Sequence, residues 1–251
     1  IFYFFLGKTF IKGARKMALL EMKNVEKTYY QGKIEVPAIR GIDLTIEEGE
    51  FTTIFGPSGS GKTTLLNMVG CLDKATAGEI YFNGRDLETL SKKELADIRR
   101  HNLGFIFQSY NLIPVLTAYE NVEFAIRLID GKQKGEIKNK VMDILAAVGL
   151  EGLEDRKPNE LSGGQKQRVA VARALVKEPK LVLADEPTAN LDSKTGTDVL
   201  DLMATMNQKL NTTFIFSTHD PKVMDYARRL IEVRDGQVAK DERRGNECVS
   251  N

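Results

Sequence analysis

The sequence is short of net charge, of cysteine and of long apolar runs, and each shortage narrows what the chain can be. Across 251 residues, 36 Lys and Arg meet 35 Asp and Glu, a formal net charge of +1. A nucleic-acid binder normally carries a basic excess or stripe, so no nucleic-acid partner is expected. The two cysteines, Cys71 and Cys248, form neither a C-x-x-C nor a metal-ligand spacing, a pattern that suits a reducing compartment and leaves both thiols chemically bland. The apolar opening Ile1-Phe2-Tyr3-Phe4-Phe5-Leu6 is broken by Gly7-Lys8, far short of the roughly 18 residues a membrane span needs. No other segment comes closer, so a soluble chain without a span of its own is expected. Internal repeats and low-complexity linkers are missing as well. With 42% hydrophobic residues and little net charge, the chain is not disordered, and its length suffices for a core that needs no disulfide or metal staple.

Residues 1–16 are expected to be a non-native or disordered leader, with Met17 the natural start; the runner-up is a short membrane-surface anchor with Lys8, Lys12, Arg15 and Lys16 as its basic side. From there Leu20–Val25 and Ile42–Ile46 alternate apolar and polar residues, as half-buried strands do. Glu50–Phe55 reads as a strand leading into a Gly-rich loop and a helix over Thr63–Val69, and Glu79–Phe82 ends in the turn signal Asn83-Gly84. From Ser91 to about Val176 helical spacing dominates, with Ile137, Val141, Ile144, Leu145 and Val148 on one face. Leu181–Ala184 and Phe214–Ser217 are continuous apolar runs, which suit central parallel strands. Leu230–Val233, Asp235-Gly236 and Gln237-Val238 predict a terminal hairpin.

Three segments carry chemistry. Gly56-Pro57-Ser58-Gly59-Ser60-Gly61-Lys62-Thr63 matches G-x-x-x-x-G-K-[ST] between a strand and a helix. Its glycines let backbone N–H groups close on phosphate oxygens, the helix start adds partial positive charge, Lys62 would reach the β- and γ-phosphates, and the Thr63 hydroxyl would ligate Mg²⁺; Thr64 follows as a further nucleotide contact. Asp185 and Glu186 close an apolar strand, where open α/β sheets bind ligands: Asp185 would hold Mg²⁺ and Glu186 would serve as base for an attacking water. Ser162 and Gln165 in Leu161-Ser162-Gly163-Gly164-Gln165 have capping-box spacing. That bland reading leaves Gly163-Gly164 unexplained, because interior glycine costs a helix up to about 1 kcal/mol against alanine. A close approach to that backbone, by phosphate for instance, is expected.

Together these segments resemble the ATP-binding cassette (ABC) family from about Leu20 to Ala239, and Leu161–Gln165 is the family's own signature. The resemblance implies an α/β P-loop NTPase core of ABC type with an N-terminal antiparallel β-subdomain and an inserted α-helical subdomain: an ATPase domain over 17–240, with its core at 17–107 and 179–240, the helical part at about 108–178 and a polar tail at 241–251. It implies ATP and Mg²⁺ as cofactors and a head-to-tail homodimer in the ATP-bound state, in which Ser162, Gly163, Gly164 and Gln165 contact the γ-phosphate held by the opposite subunit. Tyr29 matches the aromatic that stacks on adenine, with Tyr30 as rival. Gln108 matches the glutamine that touches Mg²⁺ and the water, Asp192 lies in the loop crossing the dimer interface, and His219 matches the histidine that bonds the γ-phosphate and orients Glu186; His101 is expected on the surface. Catalysis is thus implied for Glu186, His219, Gln108 and Lys62. The stretch Gln108–Ala118 resembles a docking groove for an integral membrane permease, with Leu112, Ile113 and Leu116 as anchors, which would hold the chain on the cytoplasmic face of the inner membrane. Gly70–Asp73, Gly104–Pro114 and Pro187–Asp192 are most similar to the lipoprotein-releasing and macrolide-efflux branch. An FtsE-like cell-division module without transport is the alternative.

Overall fold

The computed structural model describes residues 18–127, 129 and 134–244; the leader expected over 1–16 and Cys248 lie outside the described residues. In chain order the elements are β1 (Ala18–Gln31), β2 (Ile34–Glu47), β3 (Phe51–Phe55), α1 (Lys62–Val69), β4 (Ala77–Phe82), β5 (Arg85–Asp86), α2 (Lys92–Asn102), β6 (Leu103–Phe107), α3 (Ala118–Arg127), α4 (Lys134–Ala147), α5 (Gly163–Leu175), β7 (Leu181–Asp185), α6 (Ser193–Leu210), β8 (Thr213–Thr218), α7 (Pro221–Tyr226), β9 (Arg229–Arg234) and β10 (Gln237–Arg243). Two sheets result, one of order β2-β1-β4-β5 and one of order β10-β9-β3-β8-β7-β6. The first is antiparallel. In the second, β9, β3, β8, β7 and β6 run parallel, and β10 returns antiparallel to β9.

The apolar runs expected as central strands are buried on both faces, and successive residues serve opposite sides. Phe51, Ile106, Val182, Ala184, Phe214 and Phe216 face α3 to α7 in one hydrophobic cluster. Ile54, Leu103, Leu181, Leu183 and Ile215 face α1, α2 and the antiparallel sheet in the other. The helical insert closes the first cluster: Ile137, Val141, Leu145 and Val148 are buried, as their spacing requires, while Ile144 is partly covered.

Two departures from the sequence reading have local causes. The strands read at Leu20–Val25 and Ile42–Ile46 belong to a much longer hairpin whose ladder continues to Gln31 opposite Ile34; its outer arm is exposed and includes Pro37, so no alternation marks it. At the other end β10 runs past the expected boundary at 240 as far as Arg243. The reason is Arg229, whose guanidinium donates to Asp241 Oδ1 and Oδ2 at 2.8 and 2.6 Å, to Glu50 Oε2 at 3.0 Å and to the Thr45 carbonyl at 2.6 Å. That nearly buried cation ties the last strand to the entry of β3. His101 is exposed, as expected.

The packing around Phe216 makes a prediction. Its ring lies 4.6 Å from that of Phe51 and 5.8 Å from that of Phe214, and no part of the residue is exposed. Phe216→Ala is expected to cost about 3–5 kcal/mol, read as a lower urea midpoint; a loss under about 1 kcal/mol would mean that this side of the sheet repacks freely.

Candidate nucleotide site

The loop after β3 is glycine-rich, and at Gly56 and Gly61 its neighbours leave no room for a Cβ. A Cβ on Gly56 would stand 2.0 Å from the Val233 carbonyl oxygen of β9. Behind the loop, Ser60 is buried and its carbonyl accepts from the Gly236 N–H at 3.0 Å, so the β9–β10 turn props the loop from below. Gly61, at φ 104°, opens α1 without any side-chain cap. The first N–H groups of that helix are therefore uncommitted and suited to an anion. Lys62 lies across the loop and donates from Nζ to the Gly56 and Pro57 carbonyls, both at 2.9 Å.

Strand register brings the remaining groups alongside. Phe55 pairs with Thr218, Ser217 with Asp185, and Asp185 with Phe107, so β3, β8, β7 and β6 end level. A cleft of about 560 Å³ opens there, lined by Gly56, Pro57, Ser58, Gly59, Gly61, Lys62, Thr63, Thr64, Gln108, Asp185, Glu186 and His219, with Ala38 and Ser217. Glu186 adopts φ 45°, a sparsely populated conformation for glutamate of the kind concentrated at functional sites. It is held there by its N–H on the Ser217 carbonyl at 2.9 Å, by the Thr218 hydroxyl donating to Oε2 at 2.9 Å, and by His219 Nδ1 at 2.6 Å from Oε1. Burial pushes the Asp185 carboxyl above the usual aspartate range; the Ser217 hydrogen bond and Lys62 oppose this, and Glu186 adds to it.

These donors fit a nucleotide with a divalent cation. Thr63, Gln108, Asp185 and Glu186 supply oxygen, which suits a hard cation. Among the described residues no group of three or more His, Cys, Asp or Glu could hold a metal by itself. A cation here would therefore share its ligands with phosphate, the usual arrangement for Mg²⁺.

Other expected site residues stand apart from this cleft. Ser162 caps α5: its hydroxyl accepts from the Gln165 N–H at 3.3 Å, and Gln165 Oε1 accepts from the Ser162 N–H at 2.9 Å. At Gly164 the expected close approach is made by α6, since a Cβ there would meet Thr195 Cγ2 at 2.3 Å. Helix packing thus requires that glycine, quite apart from any phosphate. Asp192 caps α6 through the Lys194 and Thr195 N–H groups at 3.1 and 3.0 Å, and the hydrogen bonds from Thr195 hold its carboxyl below the usual range. Tyr29 lies just outside the cleft lining with its hydroxyl donating to Asp73 at 2.9 Å, while Tyr30 is more exposed and on the other face of the hairpin. Of the groove residues, Leu112 packs against the helical cluster and Ile113 lines a second cleft of about 330 Å³ beside Phe105, Phe107, Phe124, Arg173 and Lys177. Leu116 is half-buried outside it. Phe124, half-exposed on α3, was not singled out from sequence because it sits in a helical pattern like any core residue. Burial brings Lys177 there down to about 8.

A family model described as ABC transporter matches residues 39–189. The chain belongs to the ABC transporter ATP-binding family. This cassette is 46% identical over 230 residues to the ABC transporter ATP-binding protein MJ0796 of Methanocaldococcus jannaschii, covering 90% of this chain and 97% of that one. It is 44% identical over 225 residues to the macrolide export ATP-binding/permease protein MacB of Syntrophobacter fumaroxidans, of which it spans only 31%. Among solved structures, the dimeric post-hydrolysis state of MJ0796 bound to ADP and Pi superposes with a TM-score of 0.83 at 45% identity, over 90% of this chain and 99% of that one. The chain is an ABC-type ATPase with the α/β core, antiparallel β-subdomain and helical insert that the resemblance implied.

Two predictions follow from the site. Lys62→Ala removes the one lysine lying across the loop and is expected to weaken ATP binding at least about tenfold, from the loss of charge-assisted hydrogen bonds; unchanged affinity in a titration would count against the loop as phosphate holder. Asp185 keeps its proton to higher pH in the folded state than in the unfolded chain. Stability is therefore lost as pH rises from the ordinary aspartate value of 3.8 through the raised one, and stays lower above it. Nucleotide-free Asp185→Asn is expected to melt above the wild type at neutral pH, with the gap closing towards about pH 4; a gap independent of pH would remove the carboxyl as its cause.

Proposed function

We propose that two copies of this cassette close head to tail on two molecules of ATP and Mg²⁺ and thereby drive a separate membrane permease of the lipoprotein-releasing or macrolide-efflux type. The observation that carries the hydrolytic half is the Glu186–His219 contact of 2.6 Å beside the phosphate loop. Glu186 accepts the proton of a water attacking the γ-phosphoryl, and His219, bonded to it, fixes which way the carboxylate points. Lys62 and the N–H groups of Gly59, Gly61 and Thr63 draw off negative charge as the transferring phosphoryl develops it. Thr63 with Gln108 and Asp185 would hold Mg²⁺, whose chemistry when bound is neutralisation of the phosphate oxygens. Tyr29 takes the adenine on its ring. Ser162, Gly163, Gly164, Gln165 and Asp192 are outside the lining of their own cleft, which supports a role on the nucleotide of a second copy, and the relative MJ0796 has been solved as a dimer.

The permease half rests on the second cleft and on relatives named for macrolide export. No helix among the described residues is long and apolar enough to cross a membrane. The groove formed by Ile113, Phe105, Phe107 and Phe124 suits an amphipathic helix supplied by another chain, which would keep the cassette peripheral on the cytoplasmic face.

Glu186→Gln keeps the shape of the site but not the base. It is expected to bind ATP, to hydrolyse it about 10²-fold or more slowly, and to accumulate as an ATP-bound dimer in size-exclusion chromatography. Turnover like the wild type would take the base role from Glu186. Captured with MgATP from detergent-solubilised membranes, the same variant is expected to bring down a permease; recovery of division proteins alone would leave the ATPase standing and sink the transport reading.

A further inference from the structure

Lys27 and Asp73 do nothing in the reaction described above, yet they enclose Tyr29 on two sides. Lys27 Nζ sits over the Tyr29 ring, 4.9 Å from its centroid. The same ammonium donates to Asp73 Oδ1 at 2.6 Å and to the Lys74 carbonyl at 2.7 Å, while the other Asp73 oxygen accepts from the Tyr29 hydroxyl at 2.9 Å. The Lys27 side chain is only 12% exposed, so the cation is held in place. Hydrogen bonds from Lys27 and Tyr29 keep Asp73 ionised below the usual aspartate range although burial opposes this.

Asp73 is in turn fixed to the helix that opens at Lys62. The Leu72 and Asp73 N–H groups both donate to the Asn67 carbonyl of α1, at 2.8 and 3.2 Å. The aromatic ring and the phosphate loop are therefore mounted on one short helix. With the cation on one face, a base can stack only on the other.

We infer that the Lys27–Asp73 pair is a positioning device that sets the Tyr29 ring at a fixed distance from the phosphate loop, so that base and phosphates of one nucleotide are met together. This rests on Tyr29 being the base platform. A merely structural pair would weaken every ligand alike or none. A pair acting through the ring weakens only ligands that carry a base, and only while the ring is there.

The test is equilibrium binding to the full chain of ADP, which has a base and is not turned over, and of inorganic tripolyphosphate, which has none. Lys27→Met and Asp73→Asn are each expected to weaken ADP about fivefold, within the range that base stacking supplies, with tripolyphosphate unchanged and Lys27→Arg restoring ADP. Tyr29→Ala should weaken ADP more, and Lys27→Met added to Tyr29→Ala should change nothing further. If Tyr29→Ala leaves ADP affinity intact, the platform reading itself falls. If Tyr29→Ala weakens ADP but Lys27→Met does not, or weakens tripolyphosphate equally, or adds its full effect without the ring, the positioning role is overturned while the platform stands.

Discussion

Level pairing of parallel strands governs where everything chemical in this molecule sits. Phe55, Thr218, Asp185 and Phe107 finish their strands at one height because β3, β8, β7 and β6 are paired without a slip, and the segments that follow emerge side by side at the carboxyl edge. Moving one strand by a single residue would turn its side chains to the opposite face, taking Asp185 off the face it shares with Leu181 and Leu183 or Phe216 away from Phe51. Register is secured from within, since each of these strands presents apolar side chains to one hydrophobic cluster on one face and to the other cluster on the opposite face. The core therefore does more than stabilise the sheet: it aligns the chemistry.

Much of this was legible in the chain because its signals are local. A strand, a glycine-rich turn and a helix start lie within twenty residues around Lys62, and their order alone suggests a phosphate site. The central strands could be recognised because burial on both faces leaves an uninterrupted apolar run. What escaped depends on partners far away in sequence. The outer arm of the β1–β2 hairpin has no apolar side to display. Asp73 lies 46 positions from Lys27 and resembles any surface acid until the fold joins them. Phe124 is indistinguishable by spacing from the buried members of α3; only the finished fold leaves its ring half-exposed.

Several residues that the ABC resemblance assigns to nucleotide contact across a dimer also have a task within one subunit. Ser162 and Gln165 close the start of α5, Asp192 closes the start of α6, and Gly164 lets those two helices touch at Thr195. The caps hold the N-termini of both helices in shape within a single subunit. A defect at these positions would disturb the subunit itself, so any loss of activity has to be read beside a stability measurement.

The position of β3 also bears on how the protein is made. Its two neighbours in the sheet are β8 and β9, which begin 162 and 178 residues after Phe51, and the N–H that props the phosphate loop belongs to Gly236, close to the end of the described chain. While the nascent chain is growing, the loop has a sequence but no walls. A chain cut short before β8 therefore lacks both strands that flank the loop, and the first motif to be translated is among the last to be enclosed.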